Sequence, residues 1–74
     1  MTAQEMFEEL GYKLTENNES KLEYTFKGFI DTVITFNIDE KIYWTSTLGR
    51  ASAISNNIHK AINKQCEGLG WQYV

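Results

Sequence analysis

Few residues in this chain have side chains that could perform covalent chemistry. It contains one histidine, His59, and one cysteine, Cys66. A nucleophilic cysteine needs a base within hydrogen-bonding distance of its sulfur. If both residues lie on one helix, a rise of about 1.5 Å per residue separates them by roughly 10 Å along its axis. This spacing argues against a catalytic Cys/His pair, and we predict that the protein is not an enzyme.

Metal and carboxylate chemistry have equally little support in the sequence. A structural zinc ion takes four clustered Cys or His ligands, and the chain has two such residues in total. Three acids, Glu5, Glu8 and Glu9, are grouped near the start of the chain. On a short helix they favour a solvated face that is stabilised by the helix dipole. No glycine-rich phosphate loop is present, so we expect neither a metal nor a cofactor.

Basic residues in the second half of the chain suggest an alternative, which is nucleic-acid binding through Arg50, Lys60 and Lys64. The two lysines stand four positions apart, on one face of a helix. The formal net charge is nevertheless −3, and residues 1–40 hold nine acids against three lysines. Because non-specific nucleic-acid binding needs a basic field over much of one face, this alternative is the less favoured one.

Two helices are predicted, one near each end of the chain. The first begins after Thr2, which forms a capping-box pattern with Glu5, and it ends at Leu10 before Gly11. The second begins after Ser55 and ends where Gly70 follows Leu69. Its apolar face consists of Ile54, Ile58, Ala61, Ile62 and Leu69, together with Gln65.

Between the helices the apolar residues alternate with polar ones, which predicts antiparallel strands. Three-residue connections would keep the apolar residues on one face, with the following pairs: Phe26 with Ile30, Leu22 with Ile34, Ile38 with Ile42, and Phe36 with Trp44. A two-residue turn at Asp39-Glu40 would instead oppose Phe36 to Tyr43 and expose Trp44. We favour the three-residue connection. A short strand from Tyr12 to Thr15 adds a fourth member.

These elements predict a single α+β domain over residues 1–74. It consists of a short N-terminal helix, a three- to four-stranded antiparallel meander and a C-terminal helix, with both helices packed on one face of the sheet. The other face is left open. A partner-binding patch is predicted there, formed by Phe29, Val33, Thr35, Tyr43 and Thr45. The alternative is a threonine-rich solvated face with scattered apolar residues.

Three segments resemble small proteins encoded by phages and prophages of low-GC Gram-positive bacteria (Firmicutes). They are Ala3 to Tyr12, Ile34 to Phe36 and Ala61 to Trp71, and together they cover about half of the chain. The resemblance implies a phage or prophage origin, and together with the open sheet face it leads us to expect an accessory protein that acts in the host cytoplasm by binding a host or phage protein. Inhibition of a host defence protein is one form of such binding. The resemblance brings no catalytic residues.

The composition agrees with a cytoplasmic site of action. A single cysteine cannot form an internal disulfide and fits a reducing compartment. No apolar run approaches the roughly 20 residues of a membrane span, so we expect no membrane association. Because a domain of this size buries only a thin core, association into a homodimer stays open.

Overall fold

The computed structural model describes residues 1–28, 31–47 and 54–71. Its elements are α1 (Ala3–Glu9), β1 (Tyr12–Asn17), β2 (Lys21–Phe26), β3 (Thr32–Asn37), β4 (Ile42–Thr47) and α2 (Asn56–Gly68). The four strands form one antiparallel sheet in the order β1-β2-β3-β4. The predicted α+β fold is confirmed. Sequence predictions that fall on Phe29, Ile30, Leu48 and Arg50 lie outside the described residues.

Helix α1 has the capping box that the sequence predicts. The Thr2 hydroxyl accepts a hydrogen bond from the Glu5 N–H at 3.2 Å, and the Glu5 carboxylate accepts one from the Thr2 N–H at 2.9 Å. The backbone bond favours the ionised carboxylate and lowers the pKa of Glu5. At the other end of α1, Gly11 adopts a φ of 92° and its N–H donates to the Glu8 carbonyl.

Ser55 is the N-cap of helix α2, and its hydroxyl accepts a hydrogen bond from the Ile58 N–H at 3.2 Å. It ends in a Schellman motif. The N–H of Trp71 donates to the Cys66 carbonyl, and the N–H of Gly70 donates to the Glu67 carbonyl. Gly70 has a φ of 75°, as this motif requires. The motif directs the Trp71 ring onto Phe36, with ring centroids 6.1 Å apart.

Both helices pack on one face of the sheet, and they meet at Tyr24. The Phe7 ring of α1 stacks on the Tyr24 ring with centroids 4.0 Å apart. The Tyr24 hydroxyl donates a 2.7 Å hydrogen bond to Oε1 of Gln65 in α2. The buried core comprises Phe7, Tyr12, Leu22, Tyr24, Ile34, Phe36, Ala61 and Ile62. The predicted placement of the helices is confirmed.

The register between β2 and β3 differs from the predicted one by two residues. Leu22 pairs with Phe36 rather than Ile34, and Phe26 pairs with Thr32 rather than Ile30. The connection between β2 and β3 covers residues 27–31, which is two residues longer than predicted, and in the observed register the N–H of Ile38 donates to the Ser20 carbonyl. Because side chains alternate with period two, this shift leaves every residue on its predicted face.

The register between β3 and β4 differs by one residue, so the predicted pairs of Ile38 with Ile42 and of Phe36 with Trp44 are wrong. Phe36 pairs with Tyr43, and Asn37 pairs with Ile42. A connection over residues 38–41 produces this register. In it the Asn37 side chain accepts from the Glu40 N–H at 2.9 Å, and Lys41 adopts a φ of 58°. A shift of one residue turns every side chain of β4 to the opposite face.

Two glycines are expected to respond to alanine substitution with opposite signs. Gly11→Ala should lower the free energy of unfolding by about 1–2 kcal/mol, because its positive φ strains an L residue. The new Cβ would also lie 2.8 Å from Cε2 of Phe26. Gly68→Ala should raise it by up to about 1 kcal/mol, because the site is helical and its nearest neighbour is 4.0 Å away. Urea unfolding measures both changes in the free energy of unfolding. Changes of the same sign for the two variants would contradict the backbone conformations described for Gly11 and Gly68.

Candidate protein-binding surface

The face of the sheet opposite the helices carries an apolar group on β3 and β4. We call Val33, Thr35, Ile42 and Trp44 the open-face patch. Ile42 and Trp44 are 46% and 43% exposed, and Val33 is half-buried. Thr35 stands directly opposite Trp44 on one side and Glu23 on the other, and it is only 3% exposed. In the open-face patch, Thr35 is therefore buried between its neighbours, and the Trp44 ring is exposed on the outermost strand.

The structure places only part of the patch predicted from sequence on this face. Val33 and Thr35 lie there as predicted. Tyr43 and Thr45 do not, because the β3–β4 register puts them on the helix side of β4. The Tyr43 ring contacts the buried Phe36 ring at 5.7 Å and stays 44% exposed, because β4 is at the end of the sheet. Phe29 lies outside the described residues.

The β1–β2 half of the same face is charged. Glu16 and Glu23 stand directly opposite each other, and Lys21 bridges them with N–O distances of 3.2 and 3.1 Å. The hydrogen bond to Glu23, followed by that to Glu16, raises the pKa of Lys21. Exposed ion pairs of this kind contribute little stability. They give the open-face patch a polar border on one side, as protein-binding surfaces have.

The two described basic residues of the alternative site lie exposed on α2. Lys60 borders a groove between the helices that Glu9 of α1 also lines, and Lys64 borders a cleft beside Glu67. Each lysine therefore shares its groove with an acid, which weakens the field that a phosphate backbone would meet. Arg50 lies outside the described residues. Nucleic-acid binding through these residues stays a prediction.

His59 and Cys66 lie on α2, as the sequence predicts. Cys66 is half-buried, and its burial raises the pKa of the thiol. A raised pKa favours the protonated form, which is the poorer nucleophile. Within residues 1–28, 31–47 and 54–71, no three His, Cys, Asp or Glu side chains lie close enough to hold a metal ion.

A cleft of about 730 Å³ lies between the start of α1, the end of α2 and one end of the sheet. Leu14, Leu22 and Ile38 line it, and Tyr24 and Gln65 also contribute. The Tyr24 hydroxyl is already used as a donor to Gln65. The cleft holds an amine, Lys64, and a carboxylate, Glu67, that both belong to the exposed surface of α2.

No family model matches the chain, and neither a curated protein nor a solved structure is similar to it at a significant level. In the part of the chain that the structure describes, neither helix has the length and hydropathy needed to cross a bilayer. The function of the chain is therefore inferred from the geometry of the open-face patch.

Sequence reasoning missed Ile42 and Trp44 as surface residues. In the three-residue connection, Ile42 and Trp44 lie opposite the apolar residues Ile38 and Phe36, which assigns both to the core. The signal that could have found them is local: three consecutive large apolar residues, Ile42, Tyr43 and Trp44, cannot all face one side of a strand. A strand that is apolar on both faces is expected either in a covered position or at a binding surface.

Proposed function

We propose that this chain is a non-enzymatic accessory protein that binds another protein through the open-face patch. The observation that carries the proposal is the exposure of Trp44 beside Ile42 on a sheet face that no described element covers. Tryptophan is enriched among the residues that dominate binding energy at protein interfaces. A contiguous apolar group with a polar border is typical of such surfaces.

The charge distribution supports a protein partner over a nucleic acid. Glu16 and Glu23 share the open face with the patch and are both ion-paired with Lys21, so this group has one more acid than base and offers no excess positive charge to a phosphate backbone. An open sheet face on which Thr35 is buried between its neighbours also suits a broad protein contact better than a small molecule, which prefers a concave site.

The cellular setting of the proposal comes from the resemblance to phage and prophage proteins. It suggests an accessory factor of a phage or prophage of low-GC Gram-positive bacteria that acts in the host cytoplasm. The target would then be a host or phage protein, and inhibition of a host defence protein is one outcome of such binding.

Loss of the exposed apolar side chains should abolish partner capture. The double variant Ile42→Ser/Trp44→Ser removes most of the exposed apolar area of the patch, and both positions face solvent, so the fold should persist. Tagged protein incubated with lysate of a low-GC Gram-positive host, with and without nuclease and at two salt concentrations, gives the measurement. We expect one stoichiometric protein with the native chain and none with the double variant.

A matched control is available at Ile54, which is 42% exposed and precedes the N-cap of α2. Ile54→Ser removes a side chain of the same type and similar exposure outside the sheet, and it should retain the captured protein. Equal capture by the native chain and the double variant would contradict the proposal. Recovery of nuclease-sensitive, salt-sensitive material alone would favour Arg50, Lys60 and Lys64 instead.

A further inference from the structure

Strand β4 ends the sheet, and its outer edge has backbone groups that no described strand pairs with. The alternation of hydrogen bonds along the sheet shows which backbone groups of β4 these are. The N–H of Ile38 donates to Ser20, so the even-numbered residues of β3 face β2 and the odd-numbered ones face β4. Thr35 and Trp44 therefore form a hydrogen-bonded pair. It follows that the N–H and C=O groups of Tyr43 and Thr45 point outward.

The two edges of the sheet are built differently. Edge strand β1 contains a bulge between Leu14 and Glu16 and carries the charged side chains of Lys13 and Glu16. Bulges and charges are the usual devices that prevent an edge from pairing with another strand. β4 has neither: it pairs with β3 without interruption over six residues, and Ile42–Thr47 contains no charge and no proline. Among the described strands, β4 is thus the edge that lacks these devices and is available for strand addition.

We propose that β4 pairs antiparallel with β4 of a second copy of this chain, so that one sheet continues through both copies. In the register centred on Trp44, the outward groups of Tyr43 pair with those of Thr45 of the second copy. Trp44 then lies opposite Trp44 of the second copy, on the two-fold axis and on the open face. Directly opposite side chains without mutual hydrogen bonds are the closest cross-strand neighbours, and aromatic pairs there are favourable.

The distribution of charge favours a second copy as the occupant. The acids of α1, which would repel another copy, lie on the far side of the sheet, because α1 packs against β1. The charge nearest to β4 on its N-terminal side is Lys41. In the antiparallel arrangement the two Lys41 residues lie at opposite ends of the shared strands, roughly 20 Å apart at about 3.3 Å per residue.

The area of the contact determines its strength. Ile42, Tyr43 and Trp44 are each a little under half exposed. Since an aromatic side chain can bury about 150–250 Å², these three side chains contribute roughly 300 Å² per copy. Together with the strand backbone this lies below the roughly 1,200 Å² of a stable interface. We therefore expect a reversible dimer whose population depends on concentration.

Sedimentation velocity from micromolar to millimolar concentration tests the proposal. The native chain should shift from the mass of one chain to twice that mass. Thr45→Pro removes an N–H that points away from β3, so the fold should tolerate it as edge strands do, and the dimer should weaken at least tenfold. A native chain that stays monomeric throughout, or a folded Thr45→Pro protein that dimerises like the native chain, would overturn the proposal.

Two variants of opposite charge at Trp44 test the β4 interface even if the proline variant does not fold. Trp44→Lys and Trp44→Glu each place like charges together on the two-fold axis, so each alone should be monomeric. An equimolar mixture should form a heterodimer. If the mixture sediments as monomers while the native chain dimerises, β4 is not the interface.

The proposed dimer and the proposed function can fail separately. Val33→Lys adds a charge to the open-face patch on β3, one strand away from the edge. It should reduce partner capture and leave the dimer intact, whereas Thr45→Pro should weaken the dimer at least tenfold and keep the exposed side chains of the patch.

Discussion

Replacement of Phe7 by alanine is expected to lower the free energy of unfolding by about 3–5 kcal/mol. The Phe7 side chain is fully buried and is the link between α1 and the sheet. Its ring stacks on Tyr24 at 4.0 Å and meets the edges of Tyr12 and Phe36 at 5.8 and 6.4 Å. A domain of this size has a total stability of only roughly 4–11 kcal/mol, so this loss is a large fraction of it.

Urea unfolding followed by circular dichroism measures this loss, and the chain offers a control of the same residue type. The Phe26 ring lies exposed at the end of β2 and contacts Tyr12 at 5.4 Å. Because the Phe26 side chain is 36% exposed, Phe26→Ala should cost less than Phe7→Ala, about 1–2 kcal/mol. Similar unfolding midpoints for the two variants would contradict the assignment of Phe7 to the core.

Alkaline pH is expected to destabilise the native chain through Tyr24. Burial, with a smaller contribution from Glu8, raises the pKa of Tyr24 from 10.0 to about 12. Between these values the unfolded chain loses the phenolic proton while the folded chain keeps it. The free energy of unfolding therefore falls as pH rises from 10 to 12, by roughly 2–3 kcal/mol in total, and the contribution is fully present below pH 10.

The variant Tyr24→Phe separates this effect from general alkaline denaturation. It keeps the ring stacked on Phe7 but leaves Oε1 of Gln65 without its donor, which costs about 1–3 kcal/mol at neutral pH. Its unfolding free energy should then fall less steeply above pH 10, with the remaining slope including Tyr12, whose pKa burial also raises. Equal slopes for the native chain and the variant would show that Tyr24 is not the titrating group.

The sequence was sufficient to predict the helices and their caps, because those signals are local. The Thr2 and Glu5 pair, Gly11 and Gly70 each act within one turn of backbone, and each is found as predicted. The identity of the buried face of β2 and β3 was also predictable from alternation. An error of two residues in their register does not change which side chains face the helices.

The face of β4 could not be predicted, because it depends on the length of one connection. Asp39 and Glu40 fit a connection of two or three residues. The three-residue connection is favoured from sequence because it places the most apolar residues of β4 in the core. The structure instead uses residues 38–41, with the Asn37 side chain accepting from Glu40 and Lys41 in the left-handed region. Tyr43 moves to the helix side, and the candidate site contains Trp44 in its place.

The register of β3 and β4 is the claim on which the open-face patch depends, and a nuclear Overhauser spectrum of labelled protein tests it directly. Phe36 and Tyr43 form a pair without mutual hydrogen bonds, so their Hα protons lie close together. We expect a strong Hα–Hα cross-peak between Phe36 and Tyr43. A strong cross-peak between Phe36 and Trp44 would place Trp44 beneath the helices and would remove the open-face patch.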